Sequence, residues 1–176
     1  MAKLVFKPKN NGGINLAKKI SLYGILAAIC IVFSYIEMLI PFDFIAPGVK
    51  LGLSNGVALL LIAKNDIKGA FAVNTVRILM AVLLFSAPVT LVYSLSAGMV
   101  SLVIMSLLSR IRNISVVGFS IMGAVFHNLT QLFVAFSLIG KGVLYYTPVL
   151  LLSAIACGFL TGYIAKIILK NKNFKI

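Results

Sequence analysis

The sequence predicts an all-α integral membrane protein, a bundle of six transmembrane helices with both termini cytoplasmic. Three observations predict it. The 176 residues are 61% hydrophobic and only 11% charged, with a mean hydropathy of +1.12, far outside the composition of a soluble domain. Apolar runs alternate with short polar punctuation, and at about 20 residues per span the length holds about six spans and no second domain. The basic residues fall almost entirely on one side of the resulting topology.

Taken in order, residues 1–19 form a basic tail with five lysines and a flexible Asn-Asn-Gly-Gly. The first span follows over residues 20–40 and stops at Pro41. A basic region ahead of an apolar run also resembles a signal peptide, but this run is long, lacks an A-x-A site and is followed by further spans, so it is expected to stay attached. Residues 41–50, PFDFIAPGVK, read as a loop by their prolines and glycine. The next apolar run, 51–63, makes a helix only about 20 Å long against a hydrocarbon core of about 30 Å. A short segment introduced by Pro-Gly points to non-ideal helix lining a binding cavity. Lys64-Asn65-Asp66 turns the chain into a third span, 67–85, and Ser86-Ala87-Pro88 into a fourth, 89–108. Arg110 and Arg112 end that span, the fifth runs over 115–139, and Gly140-Lys141-Gly142 turns into the sixth, 145–169. Residues 170–176 close the chain as a basic tail, leaving 20–169 as the transmembrane domain.

Six spans place thirteen of the 16 Lys and Arg on the side of the termini, from Lys3 to Lys175, with only Lys50 and Lys141 opposite. By the positive-inside rule that side is the cytoplasm, and the expected membrane is the plasma membrane. The net charge of +13 would point to nucleic acid in a soluble protein. Here the charges act as topology signals, and the lipid bilayer is the expected surrounding. Cys30 and Cys157 lack metal-ligand spacing and read as small packing residues.

One basic residue stands apart. In the third span Ala70, Asn74, Arg77 and Ala81 recur at spacings of three and four, so Arg77 heads a narrow face of small and polar side chains. A guanidinium that deep costs roughly 2.5–3.5 kcal/mol on insertion scales, so neighbouring helices must enclose it. Counting 1.5 Å per residue from the cytoplasmic ends, Arg77 lies at roughly 14 Å, His127 at about 18 Å, Asn128 near 20 Å and Gln131 near 24 Å. Glu37, Asn55, Ser94 and Ser96 reach about 20–25 Å by the same count. The polar groups gather in the middle and outer half, and Asn74 is the main exception in an otherwise dry cytoplasmic half. Ser120, Ala124, His127, Asn128, Gln131 and Ala135 share one face of the fifth span. Each such group alone reads most simply as interhelical glue, and Arg77 with Glu37 as a structural pair, though about 11 Å of height separates them. Their shared layer across five spans reads instead as a solute cavity open to the outside. Expected solute-binding residues are Glu37, Lys50, Asn55, Asn74, Arg77, Ser94, His127, Asn128 and Gln131. Lys50 either draws an anion to the mouth or caps the membrane surface. The loop 41–50 is expected to act as a lid, with Phe42, Phe44 and Ile45 seated on solute or anchored in the interface.

Small residues mark close packing. Ala154, Gly158 and Gly162 in the sixth span, Gly24 and Ala28 in the first, and Ser94 and Gly98 in the fourth allow close helix contact within the bundle or with another membrane subunit.

The runs APGVKLGLSN (46–55), NTVRILMA (74–81) and GAVFHNLTQL (123–132) together resemble the Gx transporter family, also labelled heptaprenyl diphosphate synthase component I, over nearly the whole chain. That family is similar in turn to the S components of energy-coupling factor importers, six-helix proteins that hold a vitamin or similar solute in an outward-opening cavity. The resemblance implies a substrate-binding membrane subunit whose partner is a transmembrane coupling subunit with ATPases, contacted through the matching positions Gly24 and Ala28. The enzymatic label fits the chemistry poorly. Prenyl diphosphate synthases hold Mg²⁺ on clustered aspartates, whereas Glu37, Asp43 and Asp66 are the only three acids and none are adjacent. With one histidine and no phosphate loop, no metal site, cofactor or histidine-based triad is expected. The expected function is binding or transport, without catalysis. The alternative is a non-catalytic membrane subunit of an isoprenoid, quinone or electron-transfer complex.

Overall fold

The computed structural model describes residues 16–39, 53–111 and 113–170. The proposed lid 41–50 with Lys50, Asp43, Arg112, and the tails 1–15 and 171–176 lie outside the described residues. Within them the chain forms six α-helices: α1 (Leu16–Leu39), α2 (Leu53–Ala63), α3 (Ile67–Phe85), α4 (Val89–Ser109), α5 (Val116–Ile139) and α6 (Thr147–Lys170). Five stretches are long and apolar enough to cross a membrane, and α2 is the shorter exception. The outer surface is correspondingly apolar, with Leu83 76%, Phe133 69% and Leu152 70% exposed. The protein is a multi-pass helical membrane protein.

Local chemistry sets the helix ends. At the close of α2, Asn65 takes the left-handed conformation (φ 64°), which asparagine tolerates better than most residues. Its N–H donates to Ile62 O and that of Asp66 to Leu61 O, both at 2.9 Å, the Schellman arrangement. Asp66 then caps α3 by accepting from Gly69 N at 3.2 Å. The same carboxylate accepts from the Tyr23 hydroxyl and pairs with Lys19 Nζ at 3.7 Å. One residue thus ends a helix, starts the next and ties both to α1. Ser115 caps α5 by accepting from Gly118 N at 3.1 Å, and Gly140 (φ 98°) closes it.

Two boundaries differ from the sequence expectation. Helix α1 already includes Leu16, so Lys18 and Lys19 are helical rather than part of the tail. Between α5 and α6 the chain makes a 3-10 turn over Lys141–Tyr146, and α6 starts only at Thr147, with Pro148 in the first turn where its missing N–H leaves no bond unmade.

The contacts fix how the helices run. Tyr23 meets Asp66 at the start of α3, while Glu37, about 21 Å further along α1, meets Ser54 at the start of α2. Helix α2 therefore runs antiparallel to α1 and α3. Ser120 bonds to Gly158 and Asn128 to Leu150, so α5 and α6 are also antiparallel. Leu22, Leu108, Ile114 and Leu169 pack against one core cluster, which puts Leu16 and Lys170 at the same end of the bundle. Toward that end the core is apolar: Leu61, Val73 and Leu102 are at most 1% exposed. The short α2 is enclosed there, with Val57 through Ile62 buried, so its length need not match a lipid thickness.

Candidate functional site

The polar side chains are concentrated at the other end of the bundle, around a cavity of about 140 Å³ to which all six helices contribute. It extends from Phe85 and Ser86 at the α3–α4 turn down to Ser101, Ser120 and Thr161 in mid-bundle. Its volume is close to the ~150 Å³ of a protein cavity that holds benzene.

Arg77 is the centre of its charged wall. Nη1 donates to Ser54 Oγ at 2.6 Å, and Nη2 donates to Asn74 Oδ1 at 2.8 Å and Asn55 Oδ1 at 3.2 Å. The Ser54 hydroxyl donates onward to Glu37 Oε2 at 3.5 Å, a long bond. Two of these partners come from α2, whose Ser54 and Asn55 reach the guanidinium. Arg77 Nε is buried and makes no hydrogen bond.

The structure brings most of the expected residues together. Glu37, Asn55, Arg77, Ser94, His127, Asn128 and Gln131 all line the cavity. Asn74 does not; it is 2% exposed and stands behind Arg77 as an acceptor, with its Nδ2 buried and unpartnered. It positions the guanidinium and offers no surface to a solute. Ser96 turns back on its own helix, donating to Val92 O at 2.6 Å, and takes no part. Asn128 lines the wall but gives an Nδ2 hydrogen to Leu150 O at 2.9 Å, so it also acts as the interhelical tether that an amide in a membrane helix usually is. Glu37 and Arg77, about 11 Å apart by helix counting, are separated by one serine hydroxyl. Counting from separate helix ends takes no account of how far one helix is displaced along its neighbour.

Ser54 is the residue that sequence reasoning missed, although it lies inside the motif APGVKLGLSN. Ser34, Ser101 and Thr161 were missed as well, while Ser120, placed on the polar face of the fifth span, lines the cavity as expected. Three of these hydroxyls make helix bonds: Ser101 Oγ donates to Gly123 O at 2.9 Å, Ser120 Oγ to Gly158 O at 2.8 Å, and Thr161 Oγ1 to its own helix at Cys157 O at 2.7 Å. Cys157 also lines the cavity, while Cys30 is core.

The small-residue steps divide by environment. Cβ atoms added at Gly158 and Gly162 would stand 2.8 Å from the α carbons of Ile121 and Val117, so these glycines seat α6 directly on the backbone of α5. At Gly98 an added Cβ would meet Ile78 Cδ1 at 2.7 Å and Asn74 Nδ2 at 2.9 Å, so this glycine makes room for the Arg77 support. Gly24 has no atom within 4 Å of such a position, and both Gly24 and Ala28 are exposed.

A family model described as heptaprenyl diphosphate synthase component I matches residues 26–168. No curated protein and no solved structure matches the chain.

Proposed function

Since the chain belongs to the heptaprenyl diphosphate synthase component I family, we propose that it serves as the membrane substrate-binding subunit of a small-molecule importer. One observation carries this reading: the polar groups of all six helices converge on a single cavity with a supported arginine in its wall. Glu37, Asn55, Arg77, Ser94, His127 and Gln131 would contact the solute, Arg77 through charge-assisted hydrogen bonds and the amide and imidazole groups by fixing orientation. Lys and Arg bias supports a plasma-membrane topology with both termini in the cytoplasm and the cavity opening outward. The exposed Gly24 and Ala28 offer α1 a flat contact for a transmembrane coupling subunit with ATPases.

The reading has no catalytic step. Glu37 and Asp66 lie at opposite ends of the bundle, and Asp66 is committed to Tyr23, Lys19 and the cap of α3. These two cannot jointly hold the Mg²⁺ ions of a diphosphate substrate. The family description favours a second reading, a non-catalytic membrane subunit of an isoprenoid, quinone or electron-transfer complex. Co-purification separates them: a coupling subunit with ATPases supports the importer, and a soluble prenyltransferase or redox subunit in its place supports the second reading. The site itself is tested by solute-dependent thermal stabilisation of the purified chain. Stabilisation should disappear in Arg77→Ala and Gln131→Ala; full stabilisation in both variants overturns the site.

A further inference from the structure

A second cavity adjoins the first. It measures about 380 Å³ and lies between α4, α5, the 3-10 turn and the start of α6. Its walls are mostly apolar, among them Leu132, Ala135, Val143 and Leu150 with the rings of Tyr93 and Tyr146. Thr90, Ser94 and Gln131 line both cavities, so the two meet at these three polar side chains.

This junction bears on what the site accepts. A wholly hydrophilic solute would fill the Arg77 chamber and leave the larger one to water, which gains little from apolar walls. The inner chamber has room for about one ring, and the outer for on the order of two to three such volumes. The inner wall includes Arg77 among polar side chains such as Ser54, Asn55 and His127; the outer presents mostly carbon. The geometry points to an amphipathic solute: a compact head bearing a carboxylate-like group of acceptor oxygens at Arg77, and an apolar body of about fifteen carbons or fewer in the outer chamber, with Gln131 and Ser94 at the join. This rests on the importer reading and names the class of its solute. The 3-10 turn contributes Val143 and Tyr146 to the outer chamber.

The test uses the full chain in lipid nanodiscs and n-alkanoates of two to twelve carbons as probes, with n-alkanols as counterparts lacking the carboxylate. Apparent Kd is read from the concentration dependence of the thermal midpoint. In the native chain affinity for alkanoates should rise about fourfold per added methylene, with alkanols much weaker. Ala135→Trp fills the outer chamber and should flatten the dependence on chain length while leaving the shortest members unaffected. Ala135→Phe, a smaller filling, should flatten it in part and keeps the test usable where tryptophan prevents folding. Arg77→Ala should remove the advantage of alkanoates over alkanols. Stabilisation confined to the short alkanoates and lost in Arg77→Ala overturns the amphipathic assignment and leaves the importer site standing. A length dependence unchanged in all three variants is partition into lipid and overturns it too, as does failure of every alkanoate to stabilise the native chain.

Discussion

Arg77 shows how a charge becomes tolerable inside a membrane protein. Its guanidinium faces three neutral oxygens, from Ser54, Asn55 and Asn74, and reaches Glu37 through a shared hydroxyl. Part of this was legible. Asn74 and Arg77 stand three residues apart on one helix face, and Asn55 fell in a recognisable motif. Ser54 was not legible, because a serine in an apolar helix ordinarily bonds to its own backbone, as Ser96 does here. Nothing in linear order says that it faces an arginine on the next helix. Two serines give a clean contrast. Removing the hydroxyl of Ser54 strands one guanidinium hydrogen and one Glu37 contact, so Ser54→Ala should destabilise by about 1–3 kcal/mol. Ser34 Oγ is buried without a partner, so Ser34→Ala should be neutral or slightly stabilising. Denaturant titration of the purified variants measures both, and equal losses would contradict the hydrogen-bond assignment.

Among the elements, α6 and α1 put the same sequence signal to different uses. Between membrane helices apolar contact brings no hydrophobic gain over lipid, so close van der Waals packing and interhelical hydrogen bonds must hold them. The α5–α6 seam has both: glycines pressed against backbone and side chains of Ser120 and Asn128 donating across it. Gly158→Ala should therefore destabilise by roughly 1–3 kcal/mol, since the α carbon of Ile121 cannot move aside as a side chain would. Gly24→Leu meets no atom of its own chain within 4 Å of the Cβ and should leave the thermal midpoint nearly unchanged. On the proposed reading it should reduce recovery of a coupling subunit; unimpaired recovery would remove α1 as the contact. Spacing alone marked all these residues as small and aligned, but could not tell which stripe faced a neighbour. Span limits followed from apolar length and turn residues to within a few positions. The late start of α6 was hidden because Val143 to Tyr146 continue the apolar pattern, and the one available signal was Pro148.

For the whole molecule, the division into a dry end and a polar end was visible in the ordering of polar residues along alternating spans. The depth count put Glu37, Asn55, Ser94, His127 and Gln131 in one layer, and they surround one cavity. What sequence could not give was the second, apolar cavity, because leucine, alanine and valine on a membrane helix look alike whether they face lipid, a neighbour or a chamber. On the proposed topology, a single reactive cysteine near residue 5, in a chain with Cys30 and Cys157 replaced by alanine, should react with an impermeant reagent only after cells are opened. Reaction in intact cells would reverse the topology.

The central claim is that this membrane protein holds a small molecule against Arg77. Its most direct measurement is mass spectrometry of the small molecules retained by the chain when it is extracted in its native lipid, compared with the Arg77→Ala variant handled identically. A discrete molecule should be enriched with the native chain and absent from the variant. A lipid-only profile shared by both proteins would contradict it.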